Sequence, residues 1–295
     1  MASTRELTKQ EKITEFVKCA NDYEYFLRNY IKVPVPGMAD DVNFKPYPCQ
    51  HKFIDAIEEV CSEDSDKTGV IVLASRQCGK TVLAESRVVW LVTFHSSYQV
   101  LFMSRDEKFG ILTMHEMRDM ISKLPVWMRP RFKKKLDTVL MFQNNSSIVL
   151  QASNKTTQGG STKGRGLRPT FIWIDEAAFM PLLDHLASIM PAVSKSFLVA
   201  KQNKIPHGIL LTSTPNGRSG MGEGFYKYWS IAESTPDQSA FRAVKIHWRE
   251  IPGYDDEWFK ARCKELSWDM KKIKQEYDLV FTGTTDAIFD DTVLE

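Results

Sequence analysis

Gly69-Val70-Ile71-Val72-Leu73-Ala74-Ser75-Arg76-Gln77-Cys78-Gly79-Lys80-Thr81 decides the fold. Its first six residues form a continuous apolar run, as expected of a strand covered on both faces. From Ala74 the stretch fits the phosphate-loop pattern GxxxxGK[ST] at every position but the first, where alanine replaces glycine. A helix with a Leu/Ala/Val face is predicted next, over about residues 81–92. The chemistry accounts for the spacing. A loop between a strand and a helix N-terminus aims backbone N–H groups at phosphate oxygens. Gly79 permits close approach of the backbone, Lys80 reaches the β and γ phosphates, and Thr81 can ligate magnesium. Ser75, Arg76, Gln77, Cys78, Gly79, Lys80 and Thr81 are therefore the candidate nucleotide-binding residues.

A second stretch answers the first. Phe171-Ile172-Trp173-Ile174-Asp175-Glu176 is four apolar residues ending in two carboxylates. A carboxylate at the end of a buried strand sits at the carboxyl edge of an open α/β sheet, where ligands bind. Asp175 is suited to hold magnesium through its water shell, and Glu176 to orient and deprotonate an attacking water. The interval between the motifs leaves room for at least one strand between the two motif strands. That points to the additional-strand, RecA-like class of P-loop NTPase, with ATP and magnesium as ligands.

The rest of the chain agrees with an α/β fold. Buried strands are predicted at Tyr98–Met103, Phe171–Ile174 and Gly208–Leu211, with helices at about 50–60 and 106–122. Thr138–Phe142 and Ser147–Gln151 read as a hairpin. Residues 9–32 have helical periodicity, with Ile13, Phe16, Val17, Tyr23, Phe26 and Tyr30 facing inward. Strands alternating with helices imply a mainly parallel sheet flanked by helices. After about Pro215 the pattern turns aromatic and charged, with a strand near Phe241–Trp248 and two further helices. The expected division is an N-terminal helical segment (1–44), a P-loop core (45–215), a small α+β subdomain (216–285) packed with the N-terminal helices, and the start of a linker (286–295).

Composition excludes several classes. Five cysteines, with no CxxC pair and no zinc spacing, give neither a disulfide framework nor a structural metal site. No apolar run approaches the roughly 20 residues that span a bilayer, and the polar N-terminus has no secretory h-region. The formal net charge of +2 decides nothing about nucleic acid, because local clustering matters more than the total.

In these motifs the chain resembles the large terminase subunit of tailed double-stranded DNA phages. The loop SRQCGKT, the strand IWIDEAAFM, the segment Leu210–Gly217 (LLTSTPNG) and the segment Pro46–Gln50 (PYPCQ) stand in that family's order and cover about residues 45–230. The resemblance implies an ATP-hydrolysing motor that moves double-stranded DNA into a procapsid. It implies a homo-oligomeric ring docked on a portal protein ring, a small terminase subunit as partner, and a place in the host cell cytoplasm at the procapsid portal. It assigns adenine recognition to Tyr47 and Gln50, and coupling to Thr212, Ser213 and Thr214. It makes Arg165, in Gly164-Arg165-Gly166, an arginine finger from the neighbouring subunit, with Arg168 second and Arg76 an alternative acting in cis. The family's nuclease domain would lie beyond Glu295, so Asp286, Asp290 and Asp291 read as linker acids. The basic run Arg129–Lys135 is a candidate DNA contact or a solvated face. Two rival readings remain, a helicase-like translocase and a non-hydrolysing nucleotide-binding assembly module. The first predicts a second RecA-like lobe; an intact Glu176 counts against the second.

Overall fold

The computed structural model describes residues 6–35, 37–62, 64–153 and 168–282. Arg165 and its glycine-flanked loop, with Asp286, Asp290 and Asp291, lie outside them. In chain order the helices are α1 (Lys9–Asn21), α2 (Tyr23–Tyr30), α3 (Pro48–Cys61), α4 (Lys80–Phe94), α5 (Glu107–Lys123), α6 (Leu182–Gln202), α7 (Glu223–Ser234), α8 (Asp256–Glu265) and α9 (Met270–Glu276). The strands are β1 (Lys32–Val33), β2 (Val42–Asn43), β3 (Gly69–Ala74), β4 (Gln99–Ser104), β5 (Phe132–Lys135), β6 (Val139–Phe142), β7 (Ser147–Ala152), β8 (Phe171–Asp175), β9 (Gly208–Ser213) and β10 (Phe241–Ile246).

Eight strands form one sheet in the order β10-β3-β9-β8-β4-β7-β6-β5. The six from β10 to β7 are parallel, and the β7-β6-β5 end is antiparallel. Strand alternation feeds two apolar layers. Val70, Val72, Val100, Phe102, Phe171 and Trp173 face one side, towards α2, α3, α4 and α5. Ile71, Leu73, Leu101, Met103, Ile172 and Ile174 face the other, towards α6 and α7. Burial on both faces explains why these strands read as unbroken apolar runs.

Three placements differ from the sequence expectation. One strand does stand between the two motif strands, as the additional-strand class requires, but it is β9, which follows both in the chain; the four strands from the interval, β4, β5, β6 and β7, lie beyond β8. The strand assigned to a small C-terminal subdomain, β10, pairs with β3 over all six of its residues and belongs to the main sheet. Its alternating burial is that of an edge strand half open to solvent. The N-terminal helices dock on α4 and not on a C-terminal unit: Tyr23 Oη donates to Leu83 O (3.1 Å) and Trp90 Nε1 to Cys19 O (2.7 Å). The predicted single helix is broken at Asp22, which ends α1 and caps α2. Ile13 and Val17, expected to face inward, are about half exposed on α1.

Helix α6 contains Pro191 in its interior. It is long and apolar enough to cross a membrane by length and composition. Here one face (Leu182, Leu186, Val193, Phe197) packs in the second apolar layer of the sheet. The basic run became an edge strand: Lys133, Lys134 and Lys135 are exposed on β5, where lysines also discourage edge-to-edge pairing. Among the described residues all parallel strands lie in one sheet, so no second RecA-like lobe is present there.

Candidate functional site

The carboxyl ends of β3, β9, β8 and β4 converge on a pocket of about 470 Å³. Arg76, Lys80, Arg105, Asp175, Glu176 and Thr214 line it. The loop after β3 turns through two left-handed residues, Gln77 (φ 63°) and Gly79 (φ 78°), before α4 begins at Lys80. The first N–H groups of a helix have no partner inside it, so those of Lys80 and Thr81 are open to an anion, aided by the helix dipole.

The loop's first residues are engaged elsewhere. Ser75 N donates to Ile246 O (3.0 Å), and its buried hydroxyl donates to Tyr277 O (2.6 Å). Arg76 N donates to Glu276 O (2.8 Å), and its guanidinium lies 3.5 Å from the Glu276 carboxylate. Ser75 is thus a structural tie to the C-terminal elements and not a phosphate donor. Tyr254 Oη adds a bond to Gln77 O (3.2 Å). Cys78 is buried, and burial pushes its thiol up to about 12, so it packs and stays protonated.

Gln50 also differs from its expected role. It is buried; its Oε1 accepts from Tyr47 N (2.8 Å) and its Nε2 donates to Cys78 O (2.9 Å). A Cβ at position 79 would stand 2.5 Å from that Nε2, so any larger residue there would displace the Gln50 amide besides straining φ. Gln50 therefore caps α3 and braces the phosphate loop, while Tyr47 remains half exposed beside it. The Gln50→Ala variant should lower affinity for ATP and GTP alike, together with thermal stability, since the buried Cys78 O, at about 1–3 kcal/mol, and the partly buried Tyr47 N lose their bonds. Parallel titrations with both nucleotides check this; a loss confined to ATP would restore adenine reading.

The acidic pair is held from β9. Register places Thr212 opposite Asp175. Thr212 Oγ1 donates to Asp175 Oδ1 (2.7 Å) and accepts from Trp173 Nε1 (2.9 Å). Ser213 Oγ donates to Glu176 Oε2 at 3.5 Å and accepts from Ala178 N at 3.1 Å. Glu176 is itself left-handed (φ 51°), a costly backbone for a non-glycine residue and one that concentrates at functional sites. Its Oε1 lies 3.0 Å from Lys80 Nζ. Burial alone would lower the Lys80 pKa; the carboxylates of Glu176 and Asp175 outweigh it and hold the ammonium above its usual range. Burial, with Glu176 beside it, pushes Asp175 up to about 6. A carboxylate buried beside a second carboxylate is one that a divalent cation relieves. The Asp175 carboxylate is a hard oxygen donor of the kind magnesium takes.

Arg168 stands at the other edge of the sheet, where its backbone N donates to Gln99 Oε1, roughly 20 Å along the strand from Asp175. That placement excludes it as a finger within one chain. Arg105, at the end of β4, lines the pocket without having been singled out from sequence.

Comparison with known proteins decides the family. Residues 71–294 match the family described as terminase large subunit, T4likevirus-type, N-terminal. The chain belongs to this family. As its N-terminal part, it is the ATPase domain of a phage DNA-packaging large terminase. No curated protein matches the chain. Among solved structures, the terminase fold is similar to the large terminase ATPase domain of Thermus phage P74-26, with TM-score 0.55 and 16% identity over 81% of this chain and 100% of that one. The large terminase of bacteriophage HK97 is similar at TM-score 0.63 and 14% identity, over 88% of this chain and 54% of that one. A large terminase from a thermophilic bacteriophage, in complex with ADP, is similar at TM-score 0.56 and 14% identity, over 81% of this chain and 54% of that one.

Proposed function

We propose that this terminase domain couples magnesium-dependent ATP hydrolysis to movement of double-stranded DNA into a procapsid. One observation carries the reading. Thr212 and Ser213, adjacent on β9, hydrogen-bond to Asp175 and Glu176, the two carboxylates whose surroundings change when the γ-phosphate leaves. The chain continues from them through Thr214, which lines the pocket, to Asn216, whose Nδ2 donates to Ala178 O (3.0 Å). Loss of a phosphate is thereby connected to a packed route out of the site.

In this reading Lys80 and the α4 N-terminus cradle the β and γ phosphates. Glu176 orients a water for in-line attack and takes its proton. Asp175 and Thr81 would hold magnesium, which would supply charge compensation at the phosphate oxygens. Arg165 acts from the neighbouring subunit of a ring seated on the portal in the host cytoplasm, with the small terminase subunit as a further partner.

The test combines the domain, in its full-length terminase, with procapsids bearing their portal and with linear double-stranded DNA. ATP should protect DNA from added nuclease, and a slowly hydrolysed ATP analogue should not. The Thr212→Val variant should hydrolyse ATP yet protect less DNA per ATP consumed. Protection that is independent of hydrolysis would sink the proposal.

A further inference from the structure

We propose that Arg105 binds the γ-phosphate of ATP within the same chain and stabilises its charge as the β–γ bond breaks; this rests on the nucleotide-site reading above. Three cations line the pocket: Arg76, Lys80 and Arg105. The first is 3.5 Å from Glu276 and the second 3.0 Å from Glu176. Arg105 makes no ion pair among the described residues. Its guanidinium rests 5.6 Å from the ring centre of Phe179, just past the acidic pair.

Topology gives that cation a specific place. β4 is the neighbour of β8 on the side away from the phosphate loop, and Met103 pairs with Ile174. Continuing the register puts Ser104 level with Asp175 and Arg105 level with Glu176, about 5 Å apart across the sheet. Lys80 approaches a bound phosphate chain from the loop side. Arg105 stands across Glu176 from it, where the terminal phosphoryl group and its attacking water must lie.

The backbone at this position is firmly held. Ser104 is buried; its O accepts from Ser153 N (2.9 Å) and its Oγ donates to Asp106 O (3.0 Å). Asp106 then caps α5 through Lys108 N (2.8 Å). The Cα is fixed between a strand and a helix start, while the long exposed side chain is free to swing from Phe179 into the pocket. A guanidinium offers a planar fork matched to phosphate oxygens.

In the reaction the water oxygen forms a bond to phosphorus and gives its proton to Glu176. The bond from phosphorus to the β–γ bridging oxygen breaks, and its electron pair stays on ADP. Negative charge spreads over the oxygens that Arg105 faces, and a donor fixed there lowers the barrier. ADP carries no γ-phosphate, so the residue distinguishes the two nucleotides.

The experiment measures turnover, and binding of ADP and of a non-hydrolysable ATP analogue, for wild type, Arg105→Ala, Arg105→Lys and Lys80→Ala. Arg105→Ala should lose at least about 100-fold in turnover and about tenfold in analogue affinity, a tenfold change being about 1.4 kcal/mol, with ADP affinity kept within about twofold. Arg105→Lys, which keeps the charge but not the fork, should fall between. Turnover within about threefold of wild type would overturn the proposal, as would equal losses for ADP and the analogue. Unchanged basal turnover with loss of only a DNA-stimulated component would also overturn it and assign Arg105 to a DNA phosphate. If Lys80→Ala likewise left binding and turnover intact, the nucleotide-site reading itself would fall. A loss with Lys80→Ala alone would remove only Arg105.

Discussion

Lys80→Ala should abolish productive ATP binding, with turnover falling by more than tenfold, or more than about 1.4 kcal/mol of barrier. Lys80 is buried at the first turn of α4 and lines the pocket. A charge-assisted hydrogen bond is worth about 1.5–3 kcal/mol, so nucleotide affinity should weaken roughly 10–100-fold. The loss has a second source. Lys80 is the cation facing both Asp175 and Glu176. Without it, Asp175, already raised to about 6, takes up a proton at still higher pH and becomes a poorer metal ligand. The variant's remaining activity should therefore shift to more alkaline pH, where Asp175 is again ionised. Phosphate-release kinetics across a pH series check both parts. Retention of more than about a tenth of wild-type turnover at pH 7.5 would remove Lys80 from the site.

The elements that built this site were legible where local chemistry dictates structure. β3, β4, β8 and β9 each carry a continuous apolar run, with polar residues only at their ends, because the sheet is covered twice, and a run of that kind leaves few alternatives. Strand order was not legible. Whether β9 or β4 lies beside β3 depends on long-range pairing, and every buried strand presents the same apolar surface to a neighbour. β10 misled because an edge strand alternates Phe241, Val244 and Ile246 with Arg242 and Lys245, the pattern of a small separate sheet. α6 was hidden by Pro191, which reads as a break although the helix continues through it. Gln50 carried a signal that went unused: Tyr47 and Gln50 stand at N-cap and N3 around Pro48, a helix-start arrangement that commits the amide to the backbone. Arg105 carried one too, as the first residue beyond a buried strand at the ligand-binding edge.

Glu176→Gln should leave ATP bound and stop its hydrolysis. Removing a general base costs about 10²–10⁴ in rate, and the amide retains the size and the left-handed backbone of the original residue. The direction of the binding effect is the sharper part. In the structure Glu176 Oε1 lies 3.0 Å from Lys80 Nζ, while Ser213 Oγ reaches Glu176 only at 3.5 Å. An incoming γ-phosphate must take the ammonium from that carboxylate and tolerate its negative charge nearby. Glutamine removes the competition and the repulsion together, so affinity for ATP should rise by about two- to tenfold, below 1.4 kcal/mol, as turnover collapses. Calorimetric titration with ATP, beside single-turnover hydrolysis, separates the outcomes. Turnover equal to wild type would mean that the base lies elsewhere or that the domain only binds nucleotide. Lost turnover with weaker ATP binding would mean that the Lys80–Glu176 pair organises the pocket for its ligand and does not compete with it.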